Sequence, residues 1–154
     1  MRMPALCSAV LAALCLGNAH ADPALTIRGA WVPEAPPAAR VQAGYMDLVN
    51  AGPSALVVVG ARSADFTRVE MHRTVQSQGM ARMEAQPELR IEPGVTLSLV
   101  PGGLHLMLME PKRRLVAGDR VDIELRLQDG TPISTTAEVR GSAPAGSAHE
   151  HHHH

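Results

Sequence analysis

The feature that most constrains the fold is an alternation of apolar and polar side chains over residues 121–128. The apolar positions of that segment are Val121, Ile123, Leu125 and Leu127. A period of two predicts a β-strand with one face on a hydrophobic core and the other in water. The Asp129-Gly130 pair that follows predicts a tight turn, so residues 133–140 are expected to return as the partner strand.

The rest of the chain shows the same style of short apolar segments separated by glycine and proline. Further strands are predicted at residues 25–32, 41–50, 56–59, 68–75, 95–100 and 104–109. No long stretch has a helical period. Many short strands at turn-marked spacing are typical of an antiparallel β-sandwich, so we predict an all-β domain.

The first 21 residues have the order of features found in an export signal. Arg2 precedes an apolar stretch at residues 5–17, and Ala19-His20-Ala21 predicts cleavage before Asp22. Lipoprotein processing favours a small residue before the modified cysteine, whereas Cys15 follows Leu14. We therefore predict a cleaved signal peptide at residues 1–21, a folded domain at 22–140 and a flexible, His-rich tail at 141–154.

Composition disfavours several classes of protein. Both cysteines, Cys7 and Cys15, fall within the predicted signal peptide, so the mature domain lacks a thiol for a disulfide, a zinc–thiolate site or a blue-copper centre. Aromatic residues make up 2% and the formal net charge is −1, which argues against nucleic-acid binding. No apolar run reaches the roughly 18 residues of a membrane-spanning helix, and no Gly-x-Ser-x-Gly motif indicates a hydrolase.

Histidine and methionine are concentrated together within the predicted domain. It contains two histidines, His72 and His105, and five of its six methionines lie between residues 71 and 109. Those five are Met71, Met80, Met83, Met107 and Met109. On the predicted strand 104–109, His105, Met107 and Met109 share the face opposite the leucines. A hairpin over residues 73–82 would add His72 and Met83 to the same site.

Two imidazoles and two thioethers favour Cu(I) over other metal ions. Thioether sulfur is soft and uncharged, and imidazole is intermediate, whereas Mg²⁺, Ca²⁺ and Mn²⁺ require oxygen ligands. Zinc normally takes thiolate or carboxylate beside histidine. Stable Cu(II) chemistry prefers nitrogen and oxygen, which disfavours a redox enzyme. The alternative that the residues leave open is that the methionines fill gaps in the core and the histidines are incidental.

The spacing of these residues resembles that of the periplasmic copper chaperones called PCuAC. Ten residues separate His72 from Met83, and twenty-one separate Met83 from the His105-Leu106-Met107 segment. Met71 beside His72 also fits this pattern, and the resemblance extends over residues 25–140.

The resemblance implies a cupredoxin-like β-sandwich of Greek-key type with an exposed Cu(I) site, whose ligands are His72, Met83, His105 and Met107. It implies a periplasmic metallochaperone, not an enzyme, that passes copper toward cytochrome c oxidase subunit II beside a Sco-type protein. Copper storage is the alternative function. Met80 and Met109 are extra sulfurs near the implied ligands, and whether Met71, Met80 or Met109 exchanges with them is left open.

The last residues contain a second cluster of histidines. His149 and residues 151–154 are histidine, with Glu150 between them. The tail is either native or a purification tag, and the interrupting Glu150 favours a native tail. Because histidine clusters favour Cu(II) or Zn(II), we expect this tail to capture Cu(II) and to raise the copper supply near the sandwich.

Removal of residues 148–154 tests the tail. We expect the number of Cu(II) ions bound per chain in a Cu(II) titration to fall, because the histidine nitrogens are lost. An unchanged stoichiometry would reject the tail as a copper-binding segment.

Overall fold

The computed structural model describes residues 24–141 of the 154-residue chain. The ten strands of this part are β1 (Leu25–Pro33), β2 (Val41–Asn50), β3 (Leu56–Arg62), β4 (Phe66–Ser77), β5 (Met80–Ala85), β6 (Leu89–Ile91), β7 (Thr96–Leu99), β8 (Leu104–Pro111), β9 (Arg120–Leu127) and β10 (Pro132–Arg140). Between residues 24 and 141 there is no helix long and apolar enough to cross a membrane. The predicted signal peptide and the histidines of the tail lie outside the described residues.

Hydrogen-bonded strands follow the order β5-β4-β8-β2-β1-β10-β9-β3-β6, and β7 also pairs with β2. Strand β2 serves both layers of the sandwich, because residues 41–44 pair with β8 and residues 46–49 pair with β7. The predicted all-β sandwich is confirmed. It is not purely antiparallel, however, since β1 and β10 run parallel. Turn signals report only which neighbours in sequence can pair, so they contain no information on this contact between the two ends of the domain.

The core lies between the two layers and is formed by alternating positions of the strands. On β8 the buried apolar residues are Leu104, Leu106 and Leu108, and on β9 they are Val121, Ile123, Leu125 and Leu127. The predicted core faces of both strands are therefore confirmed. Removal of this apolar surface from water is the main favourable contribution to folding.

A two-residue turn at Gln78-Gly79 joins β4 to β5. Both residues have a positive φ, 52° and 77°, as in the type I′ turns whose twist matches that of the flanking strands. Thr74 pairs with Met83 across this hairpin, which confirms the hairpin expected over residues 73–82. Strand β5 lies at the edge of the sheet, and all six of its residues are exposed.

Leu106→Ala should destabilise the fold by about 2–5 kcal/mol, because Leu106 is fully buried and its loss leaves a cavity. Urea unfolding measures this loss. Val95→Ala is the control, since Val95 is 43% exposed and truncation there should change the free energy of unfolding by less than about 0.5 kcal/mol. Equal losses in the two variants would contradict the assignment of the core face.

Candidate metal site

The predicted site residues of β4 and β8 lie on one face of the sheet. His72 pairs directly with His105, and Glu70 pairs directly with Met107. Opposed residues of paired strands share a face, and so do residues two apart along one strand. These four side chains therefore occupy two adjacent cross-strand pairs on the side of β8 opposite Leu106 and Leu108.

The two imidazoles lie close together and largely out of solvent. Their ring centroids are 6.1 Å apart and their planes are inclined by 39°. His105 is 5% exposed, and the His72 side chain is 12% exposed. The resemblance implied an exposed site, and this part of the expectation is wrong for the imidazoles. Both stand on interior strands, since β4 lies between β5 and β8 and β8 lies between β4 and β2.

Each imidazole has one nitrogen tied to an acceptor of the protein. Nδ1 of His105 donates to the Gly103 carbonyl oxygen at 3.1 Å, and Nε2 of His72 donates to Oε2 of Glu70 at 2.9 Å. Such acceptors hold the ring in place and leave the other nitrogen without a proton, available to a metal. Nδ1 of His72 is buried and has no hydrogen-bond partner among the described residues. An orphaned buried nitrogen is unusual in a folded protein, and a metal ion would satisfy it.

Two thioethers accompany the imidazoles. Met107 is half-buried and follows His105 by two residues on the same face. Met83 is 62% exposed and stands opposite Thr74, two residues along the strands from the His72–Ala85 pair. It is thus a diagonal neighbour of His72, at a Cα separation of about 7–8 Å that a long side chain can bridge. The structure therefore brings all four predicted residues to one face, with Met83 at its rim.

The remaining methionines are placed differently. Met71 is buried in the core, on the opposite face of β4 from His72. Met80 is three residues from Met83 on β5, so its side chain lies on the other face of the hairpin. Neither Met71 nor Met80 therefore lies on the face that holds His72 and His105. Met109 shares the site face, but its sulfur accepts N–H groups from Arg68 at 3.1 and 3.2 Å.

Glu70 is the site residue that sequence reasoning left without a role. Its Oε2 accepts from His72, and its Oε1 lies 3.1 Å from Nε of Arg68. The hydrogen bond from His72 is the main cause that holds the pKa of Glu70 below its ordinary 4.5, and the charge of Arg68 lowers it further. The signal in the sequence was its spacing of two from His72 on a predicted strand, which placed both on one face.

Two solved structures that share this architecture were determined with copper bound. The copper-bound PCuAC domain of PmoF2 matches with a TM-score of 0.66 at 20% identity, over 80% of this chain and 97% of that one. The Cu(I) form of DR1885 from Deinococcus radiodurans matches with a TM-score of 0.63 at 37% identity, over 80% of this chain and 83% of that one. The chain therefore has the fold of these PCuAC domains.

The sequence profile of the LpqE-like family, described as "Putative lipoprotein LpqE-like", matches residues 25–139, and the chain belongs to this family. Protein Lxx21020 of Leifsonia xyli subsp. xyli is 38% identical over 72% of this chain. Protein RP573 of Rickettsia prowazekii is 29% identical over 65% of this chain. The matches span 66% and 56% of the lengths of these two relatives.

His72→Ala should raise the pKa of Glu70 toward 4.5, and Arg68→Ala should raise it by less, because the His72 hydrogen bond is the larger cause. Since the folded-state pKa is lowered, the stability that this carboxylate contributes is present above about pH 4.5 and is lost as the pH falls through the lower folded value. Side-chain carboxyl carbon shifts in an NMR pH titration measure both pKa changes. A larger shift in Arg68→Ala than in His72→Ala would contradict this ranking.

Proposed function

We propose that this protein is a periplasmic Cu(I)-binding metallochaperone and that His72, Met83, His105 and Met107 are its copper ligands. One observation supports this most strongly: paired imidazoles, each with one nitrogen tied to a protein acceptor, share a sheet face with thioethers. Neutral nitrogen and soft sulfur donors suit the monovalent cuprous ion. Within residues 24–141, no three His, Cys, Asp or Glu side chains group to hold a metal ion, and the proposed donor set adds methionine sulfur to the two histidines.

The relatives support the same metal. DR1885, at 37% identity, has been solved in a Cu(I) form, and the PCuAC domain of PmoF2 has been solved with copper bound. Location in the periplasm is supported by the predicted signal peptide and by the lipoprotein description of the family. In an oxidising compartment methionine remains a usable Cu(I) ligand, whereas cysteine is prone to disulfide formation.

The layout of the site favours a carrier over a store and over an enzyme. Four donors on one face suit a single ion, whereas storage requires capacity for many. His105 is 5% exposed and Met83 is 62% exposed, so an acceptor would approach the ion from the hairpin side. We propose that the acceptor is a copper-receiving protein, cytochrome c oxidase subunit II or a Sco-type protein. Sequestration of copper is the alternative function.

Competition of the reduced protein with a Cu(I) chelator tests the ligand set. His105→Ala and Met83→Ala should each weaken Cu(I) binding at least about tenfold, because loss of a ligand should cost no less than loss of a supporting contact around a metal site. Met80→Ala is the matched control for Met83→Ala. Both methionines are 62% exposed on β5, but Met80 lies on the other face. Equal affinities of the two methionine variants would refute Met83 as a ligand.

A further inference from the structure

The two cross-strand pairs at the centre of the site contain a carboxylate. Three of their four side chains, His72, His105 and Met107, are proposed copper ligands, and the fourth is Glu70. Glu70 lies directly opposite Met107 and two residues from His72. By register it lies on the same face as its three neighbours, whereas the proposed fourth ligand, Met83, comes from the separate strand β5.

A carboxylate in the donor set would change which metal the site prefers. Carboxylate oxygen is a hard, charged ligand that accompanies histidine in zinc sites, and Cu(II) also favours oxygen and nitrogen donors. Two imidazoles with Glu70 would therefore suit Zn(II) or Cu(II). A site that selects Cu(I) requires that this carboxylate stays out of the coordination sphere.

The structure shows how both oxygens of Glu70 are engaged. Oε2 accepts the His72 hydrogen bond, and Oε1 lies 3.1 Å from Nε of Arg68. The guanidinium of Arg68 is itself anchored, because its Nε and Nη2 donate to the sulfur of Met109 directly across the strand pair, and its contact with Glu70 is an ion pair. The Glu70 side chain is 37% exposed, so space for reorientation exists, and the contacts with His72 and Arg68 oppose it.

We propose that Arg68 is a selectivity-determining residue, which holds the Glu70 carboxylate beside His72 and thereby keeps a hard oxygen ligand away from the metal. This inference rests on the proposed Cu(I) site. Arg68 acts through Glu70, so it is a positioning residue. Its side chain is 66% exposed, and its removal should leave the fold intact.

The charge of Arg68 alone has an effect that must be separated from this role. Removal of one positive charge near the site strengthens the binding of any cation. The Coulomb energy of this effect is linear in the charge of the bound ion. The fold-change for a divalent ion is then the square of that for a monovalent ion, on the order of tenfold for Zn(II) if it is about threefold for Cu(I). If the Glu70 carboxylate is released and becomes a ligand, the affinity for Zn(II) rises further, whereas that for Cu(I) does not, because the hard oxygen suits Zn(II).

A double-mutant cycle separates the two effects. Cu(I) and Zn(II) affinities are measured in metal buffers for the wild type, Arg68→Ala, Glu70→Gln and the double variant. Glutamine is the matched replacement, because its amide oxygen can still accept from His72. Binding is followed in the full chain at the NMR ring signals of His72 and His105, so that metal on the histidines of the tail is not counted. Arg73→Ala removes the same charge from the other face of β4.

Arg68→Ala should raise the affinity for Zn(II) by a factor larger than the square of the factor by which it raises the affinity for Cu(I). When Arg68→Ala is combined with Glu70→Gln, the gain in Zn(II) affinity should fall to the square of the gain in Cu(I) affinity. Arg73→Ala should likewise give no Zn(II) gain beyond that square. An Arg68→Ala effect on Zn(II) that is the same with Glu70 or Gln at position 70 would overturn this inference alone. Absence of Cu(I) binding at His72 and His105 in the wild type would overturn the proposed function and the inference together.

Discussion

The antiparallel pairing of β4 with β8 is the interaction on which the site depends. Its register sets His72 opposite His105 and Glu70 opposite Met107, while the intervening Leu106 enters the core. Because side chains alternate with a period of two, a slip of one residue would turn the site residues of β8 inward and its leucines outward. The core therefore enforces the register, and burial of three leucines on one face of β8 stabilises the arrangement of donors on the other.

The site divides into a recessed half and an exposed half with different physical roles. The imidazoles are oriented by Glu70 and the Gly103 carbonyl before any ion arrives, so little rotamer entropy remains to be lost on binding. Met83 stands on an edge hairpin with no burial to hold it. In the proposed copper site, this arrangement would combine a preorganised nitrogen pair with an adaptable sulfur, which suits an ion that is both held and released.

Much of the fold was accessible from local pattern, and the exceptions have physical causes. Strand β2 was predicted at residues 41–50, as the structure has it, and the alternation of β9 marked its buried face correctly. Strand β6 was missed because three residues are too few to display a period. The parallel contact between β1 and β10 was missed because it joins segments about a hundred residues apart, and no turn connects them.

For the site, residue types and spacing along the chain determined the candidate donors and the soft metal that suits them. They also determined that His105 and Met107 share a strand face, because that follows from the pleat alone. Tertiary structure decided what depends on neighbours from elsewhere. It buried His105 and largely shielded His72, placed Met80 on the other face of the hairpin, and brought Arg68 to Glu70 and Met109. Local periodicity tells which way a side chain points, but which groups it meets is set by the pairing of distant strands.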